Sequence, residues 1–288
     1  MKNIKNLIFI LSTITLFLGC SSTGPNGIRS FDIDNTSYSA KNKDSRVKFI
    51  ILHYTAGNDE SSLKTLSQDS VSVHYVVTTK DKDPIYSLVP DHERAWHAGK
   101  SSFDGRSNIN DSSVGIEIVN LGYDTTKPFQ AKQNGKLAFR SREYYYGYTD
   151  VQIEKIVFLI NYLKHTYKIN DKNIIGHSDI APLRKQDPGP RFPWRVLYYR
   201  YGIGQWYDEY DKYCFQNKRE AFHILSPKEI KHEFKKYGYD INDTDEWDDD
   251  SRKVIYAFQA RFRPEKANGN IDLETYAIIK ALNKKYSN

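Results

Sequence analysis

Val47-Lys48-Phe49-Ile50-Ile51-Leu52-His53-Tyr54 is the stretch that decides the fold class. Its apolar residues follow one another without alternation, which marks a central strand covered on both faces rather than a half-exposed one. The run ends on His53, followed by Thr55-Ala56-Gly57. A histidine at the end of a buried strand lies at the sheet edge, where open α/β sheets place their sites. Taken alone, such a histidine is more often structural than functional.

Downstream of this strand, residues 61–68 predict a short helix. Residues 71–78 alternate, with Val71, Val73, Tyr75 and Val77 on one face and Ser72, His74 and Thr78 on the other. A partner strand is expected over 84–89. Arg94-Ala95-Trp96-His97-Ala98-Gly99 is an aromatic and basic loop suited to lining a cleft. A further strand over 114–120 points Val114, Ile116 and Ile118 one way and Glu117 the other. Burying an unpaired charge is costly, so Glu117 has either a partner or a task. Residues 120–148 are polar, tyrosine-rich and weakly patterned, and read as a surface excursion. Thr149 then opens a helix with Gln152 completing a capping box, and Ile153, Ile156, Val157, Ile160 and Leu163 form its inner stripe. Residues 174–177 are the final strand, leading into a loop stiffened by four prolines that carries His177, Lys185 and Asp187. His and Asp are zinc ligands, but a catalytic site takes about three from the protein. This loop supplies two, so a third must come from elsewhere. Strands interleaved with helices make an α/β sandwich with one central sheet.

The two ends of the chain differ from this middle. Residues 1–20 begin with Lys2 and Lys5, continue with an apolar run from Leu7 to Leu18, and finish on Gly19-Cys20. That run is short for a membrane span of about 20 residues and has the layout of a signal peptide. Its end resembles a bacterial lipoprotein signal, which implies lipidation of Cys20 and anchoring to a membrane. With Ser21 next, lipoprotein sorting implies the outer membrane, facing the periplasm. Residues 21–44 read as a tether. Cys214, the other of the two cysteines, is then left a free, buried or half-buried thiol. The formal charge of +6 includes two lysines that leave with the signal. So mild a balance, with no basic run interleaved with aromatics, gives no case for a nucleic-acid partner.

Residues 207–224 read as a linker and 225–288 as a module of three short helices. Ser226-Pro227-Lys228-Glu229 is a cap, a proline at the first helical position and a glutamate three residues on; Gly238 stops that helix. The acidic stretch 240–250 has no ligand-spaced repeat and reads as a solvated loop.

In this order the pieces resemble the zinc-dependent N-acetylmuramoyl-L-alanine amidases of the type-2 family, which also takes in peptidoglycan recognition proteins. The resemblance spans 45–206. It rests on Leu52-His53-Tyr54-Thr55-Ala56, Val73-His74-Tyr75-Val76-Val77, the Arg94 loop, Val114-Gly115-Ile116-Glu117-Ile118 and the His177–Pro190 loop. It implies a mixed central β-sheet flanked by helices. It also implies one Zn2+ on His53, His177 and Asp187, with Glu117 as general base and Lys185 steadying the developing oxyanion. Trp96 and His97 are expected to line the substrate cleft, and His74 to be structural. The implied reaction is hydrolysis of the amide between N-acetylmuramic acid and L-alanine, in peptidoglycan or muropeptides, during wall turnover. Residues 225–288 resemble a peptidoglycan-binding domain; as a purely recruiting module it would be dispensable for small soluble substrates. The alternative is a non-catalytic peptidoglycan-binding envelope lipoprotein. All three ligand positions and Glu117 are filled, which favours catalysis. A stem-peptide metallopeptidase finds no His-Glu-x-x-His helix here.

Overall fold

The computed structural model describes residues 32–133 and 135–286; Cys20, the leader and the first part of the tether lie outside them. Residues 1–44 form a unit by themselves, whose described part, 32–44, is exposed and carries no helix or strand. Among the described residues no helix is long and apolar enough to cross a membrane.

The second unit, Ser45–Asn288, is built on a five-stranded sheet. Strand β1 (Phe49–Tyr54) is a buried interior strand of it, between two others, as the nearly continuous apolar run predicts. Helix α1 (Asp59–Gln68) follows, started by a capping box between Asn58 and Ser61. Strands β2 (Tyr75–Val77) and β3 (Tyr86–Ser87) come next, then a small hairpin, β4 (Ser102–Phe103) with β5 (Arg106–Ser107). After β6 (Ser113–Ile118) a long arm carries a second hairpin, β7 (Lys132–Gln133) with β8 (Lys136–Leu137). Helix α2 (Asp150–Tyr167) begins at the predicted Thr149–Gln152 box and leads to β9 (Ile174–Gly176). The sheet order is β3-β2-β6-β1-β9, with β3 antiparallel and the other pairings parallel. This is the mixed sheet flanked by helices that the resemblance implies. The two hairpins were not expected, and residues 71–78 depart from their expected alternation, only Tyr75–Val77 forming a strand. Val73, His74, Val76 and Val77 are all buried, because β2 is covered on both faces and its neighbours leave no solvent side for alternation.

A short turn of helix, α3 (His177–Ile180), follows β9 directly, and α4 (Trp194–Tyr201) closes the proline-rich loop. Residues 207–224, expected as a linker, fold into α5 (Glu209–Gln216) and α6 (Arg219–His223). The reason is amphipathic: Phe215 and Phe222 turn onto the core while the polar residues face water. Three longer helices complete the chain: α7 (Pro227–Tyr237), α8 (Asp249–Phe262) and α9 (Leu273–Tyr286). Ser226 and Glu229 cap α7 reciprocally, and Gly238 ends it at a φ of 132° that side-chain-bearing residues rarely adopt. Every residue of α8 from Ser251 onward is buried except half-buried Lys253. Phe258 and Phe262 on α8 share one apolar core with Ile50 of β1, Ile174 of β9 and Trp194 of α4. The C-terminal helices are therefore packed into the same core as the sheet.

Candidate metal centre and cleft

Parallel pairing lays two histidines and a carboxyl along the carboxyl edge of the sheet. His53 on β1 stands opposite Glu117 on β6, and Leu52 opposite Gly176, so that His177 begins where β9 stops. Gly176 is needed there, because a Cβ would meet Pro188 Cδ at 2.6 Å. The loop beyond folds back, with Ser178 N donating to Asp187 O at 2.8 Å, and this returns Asp187 to the edge.

His53, His177 and Asp187 are thereby brought together and buried. His53 Nδ1 lies 2.9 Å from His177 Nδ1 and 3.1 Å from Asp187 Oδ2, and His177 Nδ1 lies 3.0 Å from the same oxygen. The outer ring nitrogens set the tautomers. His177 Nε2 is 3.1 Å from Ala98 O, which can only accept, so the proton is on Nε2 and Nδ1 offers a lone pair. His53 Nε2 is 3.0 Å from His97 Nδ1, and His97 Nε2 is 3.1 Å from Ser113 Oγ. Protons passed outward along that chain leave His53 Nδ1 with a lone pair as well. Two imidazole lone pairs and a carboxylate facing one another across 2.9–3.1 Å repel unless a cation is between them. The donor set therefore fits a zinc ion. It also accounts for Gly115: a Cβ there would strike the His97 ring at 2.5 Å and push it off His53.

Burial first, then the charge of His177, lowers the His53 pKa from 6.5 to about 4. Burial pushes Asp187 up, but the His177 and His53 rings outweigh it and hold the carboxyl well below its usual range. Glu117 goes the other way, raised to about 8 by burial and by Asp187, with Lys185 opposing. Its Oε2 is buried with no hydrogen-bond partner among the described residues. Lys185 is exposed at the rim, close enough that both Glu117 and His53 feel its charge.

These groups open into a cleft of about 820 Å³. Trp96 is exposed on its wall, with the Arg94 guanidinium 4.0 Å over its ring. His97, expected at the substrate, reaches the cleft but is half-buried behind His53, whose ring is its first neighbour. His74 is fully buried, accepting from Gly115 N at 3.0 Å. The arm 120–148 is no mere surface excursion: Phe129, Phe139 and Arg140 form a wall of the cleft that Trp96 also lines. Phe139 stacks on Tyr256 of α8 at 4.3 Å, and Tyr256 and Lys253 complete that wall. Tyr145 ties the wall to the loop, donating to Gln186 Oε1 at 2.7 Å and lying 2.9 Å from the Tyr256 hydroxyl. Nothing local in the sequence marks Tyr256 or Lys253 as cleft residues, since only the docking of α8 brings them there.

The family profile of N-acetylmuramoyl-L-alanine amidases matches residues 43–190, and that of a peptidoglycan-binding domain matches 226–279. The chain is 34% identical to N-acetylmuramoyl-L-alanine amidase AmiD of Escherichia coli, over 98% of this chain and 99% of that one. It belongs to the N-acetylmuramoyl-L-alanine amidases. The amidase cleaves the amide between N-acetylmuramic acid and L-alanine, and the non-catalytic alternative is not favoured. Two solved structures share its fold over most of its length. AmpDh3 of Pseudomonas aeruginosa, in complex with an anhydromuramic pentapeptide, is 36% identical with a TM-score of 0.79, covering 90% of this chain and 100% of that one. AmiD of E. coli, in complex with anhydro-N-acetylmuramic acid-L-Ala-D-γ-Glu-L-Lys, is 35% identical with a TM-score of 0.74, covering 88% and 94%.

Proposed function

We propose that this amidase is a zinc enzyme acting on muropeptides, anhydro-muramic ones included, with His53, His177 and Asp187 holding the ion. The observation that carries this is the buried triangle of lone pairs beside an unpartnered Glu117 carboxyl. A zinc ion held there would polarise the scissile carbonyl and lower the pKa of water to about 7. Glu117 Oε2 takes the proton of the attacking water and delivers it to the departing L-alanine nitrogen, since no other group claims that atom. Lys185 sets a positive charge at the rim, where it meets the oxygen that becomes negative as the amide is attacked. Trp96, Phe139 and Tyr256, which line the cleft, offer aromatic surface to the sugar and stem peptide. Lipidation of Cys20, with residues 21–44 as tether, would hold this cleft at the outer membrane facing the periplasm. The match to a peptidoglycan-binding domain supports a role at the wall.

The test is mass analysis of products from purified protein given sacculi and a soluble anhydro-muropeptide. Free stem peptide beginning at L-alanine is the expected product; fragments cut within the stem would refute the reading. Glu117→Gln keeps shape but cannot accept a proton. Its turnover should fall by about 10²–10⁴-fold with zinc content unchanged, and near-normal turnover would move the base role elsewhere.

A further inference from the structure

The turn that presents His177 is held from outside the catalytic fold. Asp179, two residues on and buried, is the acceptor in a network drawn from three parts of the chain. Its Oδ2 accepts from Gly176 N at 2.8 Å and from Arg261 Nη1 at 3.0 Å. Its Oδ1 accepts from the Tyr239 hydroxyl. Arg261, on α8, is itself buried, and its Nη2 donates to Ile174 O at 3.2 Å, the first carbonyl of β9. The guanidinium lies 4.5 Å from the centre of the Trp194 ring, where the loop bearing Asp187 ends. One guanidinium from the C-terminal helices thus spans the end of β9, the His177 turn and the exit of the ligand loop.

We propose that Arg261 and Tyr239 are positioning residues for the metal centre, acting through Asp179 to set the His177 ring. Asp179 is buried, and the direction of its carboxylate is set by the groups that hydrogen-bond to it, Arg261 and Tyr239 as well as Gly176 N. With Arg261 and Tyr239 in place, Asp179 fixes the backbone at Gly176. That fixes His177, whose Nε2 is already committed to Ala98 O. The C-terminal helices are then a determinant of metal affinity in addition to anything they bind. This rests on the assignment of His177 as a zinc ligand.

The test uses the full chain and measures zinc affinity by competition with a chromophoric chelator, well below each variant's melting temperature. The visible spectrum of the cobalt-substituted protein is recorded alongside. Outer partners of metal ligands typically contribute about 10–100-fold in affinity, so Arg261→Met should weaken zinc binding by about that factor and alter the cobalt spectrum. Arg261→Lys, which restores a charge without the fork, should recover part of it. Tyr239→Phe removes a single hydroxyl and keeps the ring packed against Phe103 and Tyr237, so it stays folded and answers the question if Arg261→Met does not fold. It should weaken zinc binding by a smaller factor. Zinc affinity and cobalt spectrum unchanged in both variants, whatever the loss of melting temperature, would overturn the proposal and leave the network purely structural. Failure of the unmutated protein to bind zinc would instead overturn the metal assignment, and this inference with it.

Discussion

Glu117 and His53 are opposite one another in register, yet the same burial moves them in opposite directions, because it penalises an anion in one and a cation in the other. In metal-free protein the raised Glu117 contributes stability that is full below its ordinary 4.5 and lost as pH rises through about 8. The depressed His53 contributes stability present above 6.5 and lost as pH falls through about 4. Chelator-treated protein should therefore melt highest between these two limbs and lower on either side. Thermal melts between about pH 4 and 9 should show Glu117→Gln losing only the alkaline limb. An alkaline limb as steep in that variant as in the parent would assign the loss to other groups. Gly115 offers a second check at this scale. Gly115→Ala should displace His97 from His53 and weaken zinc binding by about 10–100-fold, as read by chelator competition. Unchanged affinity would mean that the His97 link is not needed to orient the ligand. Both ideas trace to residues that the sequence shows but does not explain. His53 and Glu117 stand out locally, as polar residues ending or interrupting apolar strands. The meaning of Gly115 and His97 is invisible until β6 and the Arg94 loop are packed together, since the close approach is between segments far apart in the chain.

Helix starts were legible because a cap is a local event: Thr149 with Gln152, and Ser226 with Glu229, need only three or four residues to identify themselves. The arm 120–148 and the acidic loop 240–250 were not, since each is ordered by a partner elsewhere. The acidic loop is solvated as expected, with Asp240, Asp243, Asp245, Glu246, Asp249 and Asp250 exposed, but its inner oxygens also wrap an internal cation. Lys231 of α7 is fully buried, and its Nζ donates to Asn242 Oδ1 at 2.8 Å, to Thr244 O and Oγ1 at 2.9 Å each, and to Glu246 O at 2.5 Å. A lysine ammonium thus takes the central place that a metal ion takes in other acidic loops. Asn242 Oδ1 keeps donors in Thr244 N and Oγ1, but Lys231→Met, which keeps the apolar stem, takes the Nζ donor from Thr244 O and Glu246 O, at a cost of about 1–3 kcal/mol. For a unit of this size that is roughly 2–4 °C of melting temperature per kcal/mol. Calorimetry should find the loss with zinc content intact; an unchanged melting temperature would mean that water satisfies the loop unaided.

At the scale of the whole molecule, the question is whether residues 217–288 only recruit the wall. Three observations say that they do more. Phe258 and Phe262 share a core with Ile50 and Ile174, Tyr256 and Lys253 form part of the cleft wall, and Arg261 neutralises Asp179 behind the His177 turn. Removing one partner of a buried ion pair alone costs about 3–5 kcal/mol, a large share of the 5–15 kcal/mol that typically separates folded from unfolded protein. Loss of the buried phenylalanines adds to it, at about 3–5 kcal/mol for each such ring removed. A chain ending at Gln216 should therefore give little soluble folded protein. Whatever remains should have lost zinc affinity and activity on a small soluble anhydro-muropeptide as fully as on sacculi, because the wall bearing Tyr256 is gone for both. The measurement is kcat/KM on the soluble substrate beside release of stem peptide from sacculi, for the full and shortened chains. A shortened chain that keeps near-normal kcat/KM on the soluble substrate and loses only the sacculus reaction would show that the helices tether the enzyme and that their packing against the sheet is incidental to the chemistry.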